Sequence, residues 1–203
     1  LGACGVGVIG IIDNDVVDNS NLQRQVIYPD RAIGESKVFA AADAIKAQNP
    51  FIEVLTFNRS FNENIAQDLI SEFDLIMDGT DNSKSRYLIN KVSVGLSKPL
   101  ISGAISQWEG QVMVYDSKPD SPCYQCLFPE TNSTSTNQTC SELGVMAALP
   151  GVIGSIMAVE AIKLITNAGE RLSGRLLIYD GLYAETRTIS VKRNNQCQVC
   201  AGN

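Results

Sequence analysis

Apolar positions along the chain fall into runs of two periods. Residues 6–13 form an apolar, β-rich run that ends in an acid, Asp13. Residues 36–48 place Val38, Ala41, Ala42 and Ile45 on one face at helical spacing, and Asn49-Pro50 stops the pattern. A strand over 52–57 follows, then a helix over 62–73 with Ile65, Leu69 and Ile70 apolar. A short buried strand over 75–77 ends at Asp78, and a helix over 83–96 and a strand over 99–104 come next. This β-α-β-α-β alternation predicts a parallel sheet with helices on both faces. The pattern then changes. Residues 111–115 read as a strand with no helix after it, and 130–138 as a loop rich in Ser, Thr and Asn. A helix over 149–165 and strands over 175–179 and 186–191 close the chain. Without helices between them, the last strands are predicted to be antiparallel additions to the sheet edge. With no internal repeat and no dividing linker, all 203 residues read as one domain.

Composition narrows the chemistry. The formal net charge of −6 argues against binding to nucleic acid or to an anionic membrane, either of which needs a basic face. The longest uncharged stretch, 143–159, is short for a membrane span and holds Pro150, Gly151 and Gly154. It predicts a buried helix. There is no histidine, so the commonest general base and metal ligand is absent. Catalysis must then rest on other groups or on positioning and electrostatics, and a zinc site would need cysteine. No signal peptide is visible, and the chain is expected to be cytosolic.

Four of the six cysteines form two pairs, Cys123-Tyr-Gln-Cys126 and Cys197-Gln-Val-Cys200. Each CxxC puts two thiolates on one side of a tight turn. Two such knuckles make a closed tetrahedral site that suits a structural zinc. Redox dithiols and an iron–sulfur cluster are the alternatives. Cys140 lies outside the quartet, beside the polar loop, and reads either as a nucleophile or as an ordinary thiol. Cys4, among Gly and Ala, reads as a buried filler. Asp13, at the end of the first strand, suits a ribose contact or a solvated loop. The run Gly5-Val-Gly7-Val-Ile-Gly10 matches GxGxxG but leads into a strand instead of opening a helix, so it reads as a turn. Ser20-Asn21-Leu22-Gln23-Arg24 and Lys37 offer cations and polar contacts for a triphosphate. Asp78-Gly-Thr-Asp81-Asn82 follows a buried strand. It suits either a ligand edge with Asp81 on Mg²⁺ or a helix cap.

These pieces, in this order, resemble the MoeB/ThiF/HesA family, bacterial relatives of ubiquitin-activating enzymes. Further matches are Gly34-x-x-Lys37, Gly103-Ala104, Glu109-Gly-Gln111, Pro122-Cys-Tyr-x-Cys-Leu127, Gly144-Val-Met146 and Gly151-Val-Ile-Gly154. The resemblance implies a Rossmann-like three-layer α/β fold, its parallel sheet extended by antiparallel strands, with a four-cysteine zinc knuckle. It implies that Asp13 holds the ribose of ATP, and that Ser20, Asn21, Leu22, Gln23 and Arg24 line the nucleotide site, with Asn21 and Arg24 on the phosphates. Lys37 would stabilise charge at the α-phosphate, and Asp81 and Asn82 would lie at the Mg²⁺ end. Cys123, Cys126, Cys197 and Cys200 would bind Zn²⁺, and Cys140 occupies the position where some members link covalently to their partner. The implied reaction adenylates the Gly-Gly carboxylate of a ubiquitin-like, MoaD- or ThiS-like sulfur carrier, in molybdopterin or thiamine biosynthesis. A sulfur donor is implied as a further partner, and a homodimer as the assembly. Adenylation of a small molecule or a peptide C-terminus is the alternative, and a dinucleotide-binding oxidoreductase a more distant one. Family members carry a GxGGxG loop, on a strand and helix, ahead of the position of Leu1. The chain is therefore expected to start inside the first helix and to lack that strand and loop. A eukaryotic-type rhodanese fusion is not expected.

Overall fold

The computed structural model describes residues 1–130 and 144–201. The chain divides into two compact units, 1–61 and 62–203. The first holds β1 (Val8–Ile12), α1 (Lys37–Gln48) and β2 (Glu53–Phe57), with short 3-10 turns at Asn19–Asn21 and Asp30–Ala32. β1 and β2 pair in parallel from Val8↔Glu53 to Ile12↔Phe57, so α1 is the crossover that a parallel pair requires. Ala42 of α1 packs with Ile52 and Val54, and Ile9, Ile11 and Ile45 close around them. A second cluster, Val17, Ala32 and Ala40, anchors the long connection between β1 and α1. Gly5 has φ +79° in the turn before β1, so the GxGxxG run is indeed a turn followed by a strand. Cys4 is exposed in that turn, not buried. Its N–H bonds to the Leu1 carbonyl, and the tight 1–5 turn faces the side chain outward.

The second unit holds α2 (Glu63–Ser71), β3 (Ile76–Asp78), α3 (Ser83–Gly95), β4 (Leu100–Ser106), β5 (Glu109–Tyr115) and the single turn α4 (Tyr124–Leu127). After these come α5 (Leu149–Thr166), β6 (Arg175–Asp180) and β7 (Glu185–Ser190). The five strands lie in chain order, parallel for β3–β4 and antiparallel thereafter. The parallel pairing predicted through residue 104 is present in each unit, as β1–β2 in a two-stranded sheet and as β3–β4 in this one, and the antiparallel extension predicted for the last strands is present here. Connection length accounts for two of the antiparallel pairs: β4–β5 and β6–β7 are joined by turns too short for a crossover.

The core of this unit forms where α5 lies on β4 and β5. Its buried residues, Leu149, Ile153, Met157, Glu160 and Ala161, recur at helical spacing along one stripe. Two glycines make room for it. A Cβ at Gly110 would stand 2.3 Å from Ile153 Cδ1, and one at Gly103 would stand 2.4 Å from Met157 Sδ. Helix and sheet therefore approach more closely than any side chain at these two positions would allow. Glu160 is buried in the same stripe, yet both of its oxygens are engaged. Lys163 Nζ lies 2.5 Å from one, and the Leu172 N–H donates to the other at 2.9 Å. The opposite face exposes Gly151, Gly154, Ser155 and Val159. The sequence predicted a buried helix, whereas among the described residues only one face is covered. By length and apolarity α5 could also cross a membrane.

Candidate active site and thiol cluster

In the first unit the charged residues gather where β1 ends and α1 begins. Asp13 follows β1 directly, and its Oδ1 accepts the Asp15 N–H at 2.9 Å. Lys37 opens α1, where the positive end of the helix dipole disfavours a cation. It is nonetheless buried to 8% exposure, because its Nζ pairs with Asp15 Oδ2 at 2.9 Å and its N–H donates to the Asp15 carbonyl at 3.0 Å. Asp15 is mostly exposed on its other side. An anion arriving here meets a lysine whose stem is fixed and whose head is held by one replaceable carboxylate. The 3-10 turn at Asn19–Asn21 is capped by Asp18, which accepts from Ser20 N at 2.7 Å and Ser20 Oγ at 2.5 Å. These bonds hold the Asp18 carboxyl below its usual range. Asn21 and Arg24 are half-buried, and Arg24 reaches back to the Ser20 carbonyl at 3.3 Å. Leu22 packs against the Val17 cluster, so it supports the turn from beneath. Gln23 is exposed.

In the second unit, the loop after β3 is built on Asp78, which is 1% exposed. Its Oδ1 accepts the Thr80 N–H and hydroxyl at 2.9 and 2.7 Å, and its Oδ2 accepts the Ser102 hydroxyl at 2.9 Å. Arg86 donates to the Thr80 carbonyl and lies 3.9 Å from Asp78 Oδ2. Asp81 and Asn82 are exposed at the top of this frame. Asn82 is the N-cap of α3, its side chain accepting from Ser85 N at 2.9 Å. Both readings of this motif are therefore compatible: Asn82 caps the helix while Asp81 stays open to a ligand.

The two CxxC knuckles meet although 74 residues separate their paired cysteines. All four sulfurs lie within 4.8 Å of one another. The contacts are 3.9 Å for Cys123–Cys126, 3.6 Å for Cys123–Cys197 and 3.4 Å for Cys126–Cys200, and none is a disulfide. A tetrahedron with metal–sulfur bonds near 2.3 Å has edges of about 3.8 Å. The spacing thus fits one tetrahedral ion, and a multi-iron cluster set between the thiolates would hold them farther apart. Burial, and then the neighbouring cysteines, push the Cys123 thiol well above its ordinary value. Burial also raises Cys126. It works against ionising Cys197 too, but the backbone N–H groups of Cys200 and Val199 outweigh it and leave that thiol lowered. Burial and the neighbouring cysteines thus disfavour the Cys123 thiolate, and a divalent cation reverses that balance.

The ThiF family matches residues 1–199 of the chain. The chain belongs to the ThiF family. It is 45% identical to the adenylyltransferase and sulfurtransferase MOCS3 of Arabidopsis thaliana, over all of this chain and 44% of that protein. It is 41% identical to the sulfur carrier protein adenylyltransferase of Thermus thermophilus, over 98% of this chain and 75% of the relative. Among solved structures, E. coli MccB with MccA-N7isoASN superposes with a TM-score of 0.85 at 22% identity, covering all of this chain and 61% of that one. That likeness is one of fold. The chain spans roughly half or less of the length of several curated relatives that it matches.

Set against this family, the structure unites Asp13 and Lys37 in the first unit, through Asp15, and unites the four cysteines in the second. Asp81 and Asn82 belong to the second unit. Cys140 lies outside the described residues. Three supporting residues escape a reading of the sequence: Asp15, Arg86 and Asn90. Asp15 carried a signal, because an acid two residues beyond Asp13 is a natural partner for a buried lysine. Nothing local marks Arg86 or Asn90, whose partners come from other elements.

Proposed function

We propose that this ThiF-family chain binds MgATP and adenylates the C-terminal carboxylate of a ubiquitin-like sulfur-carrier protein. The observation that carries the reading is Lys37: a buried cation at a helix start, held by Asp15 and one short turn from Asp13. Asp13 takes the ribose hydroxyls, Asn21 and Arg24 take phosphate oxygens, and Ser20, Leu22 and Gln23 complete that wall. Asp81 and Asn82 take the Mg²⁺ end. Mg²⁺, when bound, neutralises charge on the phosphates.

A terminal carboxylate is already ionised at neutral pH, so the reaction needs no general base. A carboxylate oxygen forms a bond to the α-phosphorus, the bond from that phosphorus to the bridging oxygen breaks, and pyrophosphate leaves with the electron pair. Lys37 exchanges Asp15 for the α-phosphate and holds the charge that builds there. Alignment and cationic stabilisation are the whole of the catalysis, which agrees with a chain that has no histidine. A sulfur donor then replaces AMP on the carrier. We assign to Cys140 a covalent link to the carrier at that stage.

The four cysteines hold Zn²⁺ in a closed, structural site. Docking of a protein substrate is supported by exposed apolar groups at one end of the second sheet. Trp108, Leu182 and Tyr183 are 46%, 56% and 72% exposed, and the Gly181 N–H bonds to the Trp108 carbonyl at 2.8 Å. The small-residue outer face of α5 suits a second copy, giving a homodimer, and we assign the protein to the cytosol.

The test is incubation of the intact protein with MgATP and Gly-Gly-tailed carriers, read by intact mass. An AMP adduct on a carrier, lost with Lys37→Ala and with Asp81→Ala, is the expected result. ATP binding and full zinc occupancy with no adduct on any carrier would sink the carrier reading in favour of a small-molecule or peptide acceptor.

A further inference from the structure

The thiol cluster is bonded to the helix that opens at Asp81-Asn82. Asn90 of α3 is fully buried and faces the first knuckle with both ends of its amide. Its Nδ2 donates to Cys123 Sγ at 3.7 Å, and its Oδ1 accepts the Tyr124 N–H at 2.9 Å. The two partners fix the amide's orientation, because only the NH₂ can donate and only the oxygen can accept. One turn earlier on the same helix, the Tyr87 ring packs edge-on against Tyr124, with centroids 5.7 Å apart. Next to it in sequence, Arg86 donates to the Thr80 carbonyl in the 78–82 loop. Helix α3 therefore carries, eight residues apart, the cap at Asn82 and the amide that touches sulfur, roughly 12 Å along a rigid rod.

We propose that Asn90 is a positioning residue that couples the four-thiolate centre to α3, so that occupancy of the centre sets the loop 78–82 at the helix's N-terminus. The inference rests on the zinc reading of the cluster. A metal-bound thiolate accepts a far stronger hydrogen bond than a neutral thiol does. The Asn90 contact therefore tightens on loading and slackens on stripping, and outer partners of this kind orient the ligands they touch. Because Asn90 also holds the first backbone N–H after Cys123, any change in the knuckle is passed to α3 through two bonds.

The test compares the intact protein with Asn90→Asp and Asn90→Ser, each purified with zinc and each reconstituted with cobalt. Asn90→Asp keeps the shape and the acceptor for Tyr124 but removes the N–H donor. Asn90→Ser is neutral and too short to reach Cys123, and it carries the test if the aspartate variant does not fold. We expect zinc release to a chelator to be roughly tenfold faster and the sulfur-to-cobalt charge-transfer band to shift. We also expect amide hydrogen exchange over residues 78–86 to quicken, as it does in the native protein when the metal is stripped. A folded variant with native release rate and native cobalt band overturns the role of Asn90. A shifted band with exchange over 78–86 unchanged overturns the coupling to the loop. A native protein that shows no sulfur-to-cobalt band at all overturns the zinc reading itself, which separates that failure from the other two.

Discussion

The two chemical regions of this protein are built in opposite ways. The charged region of the first unit is local. Asp13, Asp15 and the 18–24 turn lie within a dozen residues, Lys37 follows soon after, and the partners are turn and helix-start bonds with one side open to water. The thiol cluster of the second unit is non-local, buried and closed, and is completed only when residues 74 apart meet. An open, local site can exchange partners, as a lysine must when phosphate displaces Asp15. A closed site cannot, and so it serves to hold chain segments together. On the proposed function, chemistry falls to open regions such as the first, and scaffolding to the closed one.

Four changes would sharpen or break that contrast. Cys200→Ser leaves three sulfurs at the cluster. We expect stoichiometric zinc to be lost and the midpoint of thermal unfolding to fall by roughly 10 °C or more, as metal analysis and calorimetry will report. Lys37→Ala should leave zinc content unaltered but slow adenylation by about 100-fold or more, the usual scale for one charge-stabilising group. A comparable fall in zinc would mean that the two regions are not independent. Gly110→Ala forces Ile153 away from β5 and should lower stability by about 1–3 kcal/mol in urea unfolding. An unaffected midpoint would show that α5 can shift without loss.

The smallest effect concerns Asp18. The Ser20 hydroxyl and N–H favour its charged form, so its folded carboxyl titrates below its unfolded value. That contribution is present in full above the unfolded pKa and is lost as pH falls through the folded one. Ser20→Ala should move the Asp18 titration, followed by NMR, upward toward the ordinary range. An unmoved titration would mean that the hydroxyl contributes nothing.

Much of this was legible in the chain. Periodicity placed the helix over 149–165 within a residue of α5 (Leu149–Thr166), and the lack of a helix between the strands over 175–179 and 186–191 predicted their antiparallel pairing. Boundaries moved where pairing, not propensity, decides. β4 and β5 extend to Ser106 and from Glu109, because each residue of that hairpin finds a partner across the ladder. The turn Tyr124–Leu127 was missed, being too short to have a period. Cys4 was misplaced because an apolar neighbourhood in sequence is not a buried one in space.

The sequence by itself determined what repeats or what a single ligand chemistry demands. It set the strand and helix periods, the two cysteine pairs whose spacing admits a tetrahedral ion, and the charged residues whose order marks the family. Tertiary structure decided the rest. It gave Lys37 a buried place beside Asp15, joined the knuckles, seated Ile153 and Met157 over two glycines, and brought Asn90 to Cys123. Each of these joins residues far apart in the chain or facing one another across elements. Such contacts depend on packing and burial, and local spacing does not encode them.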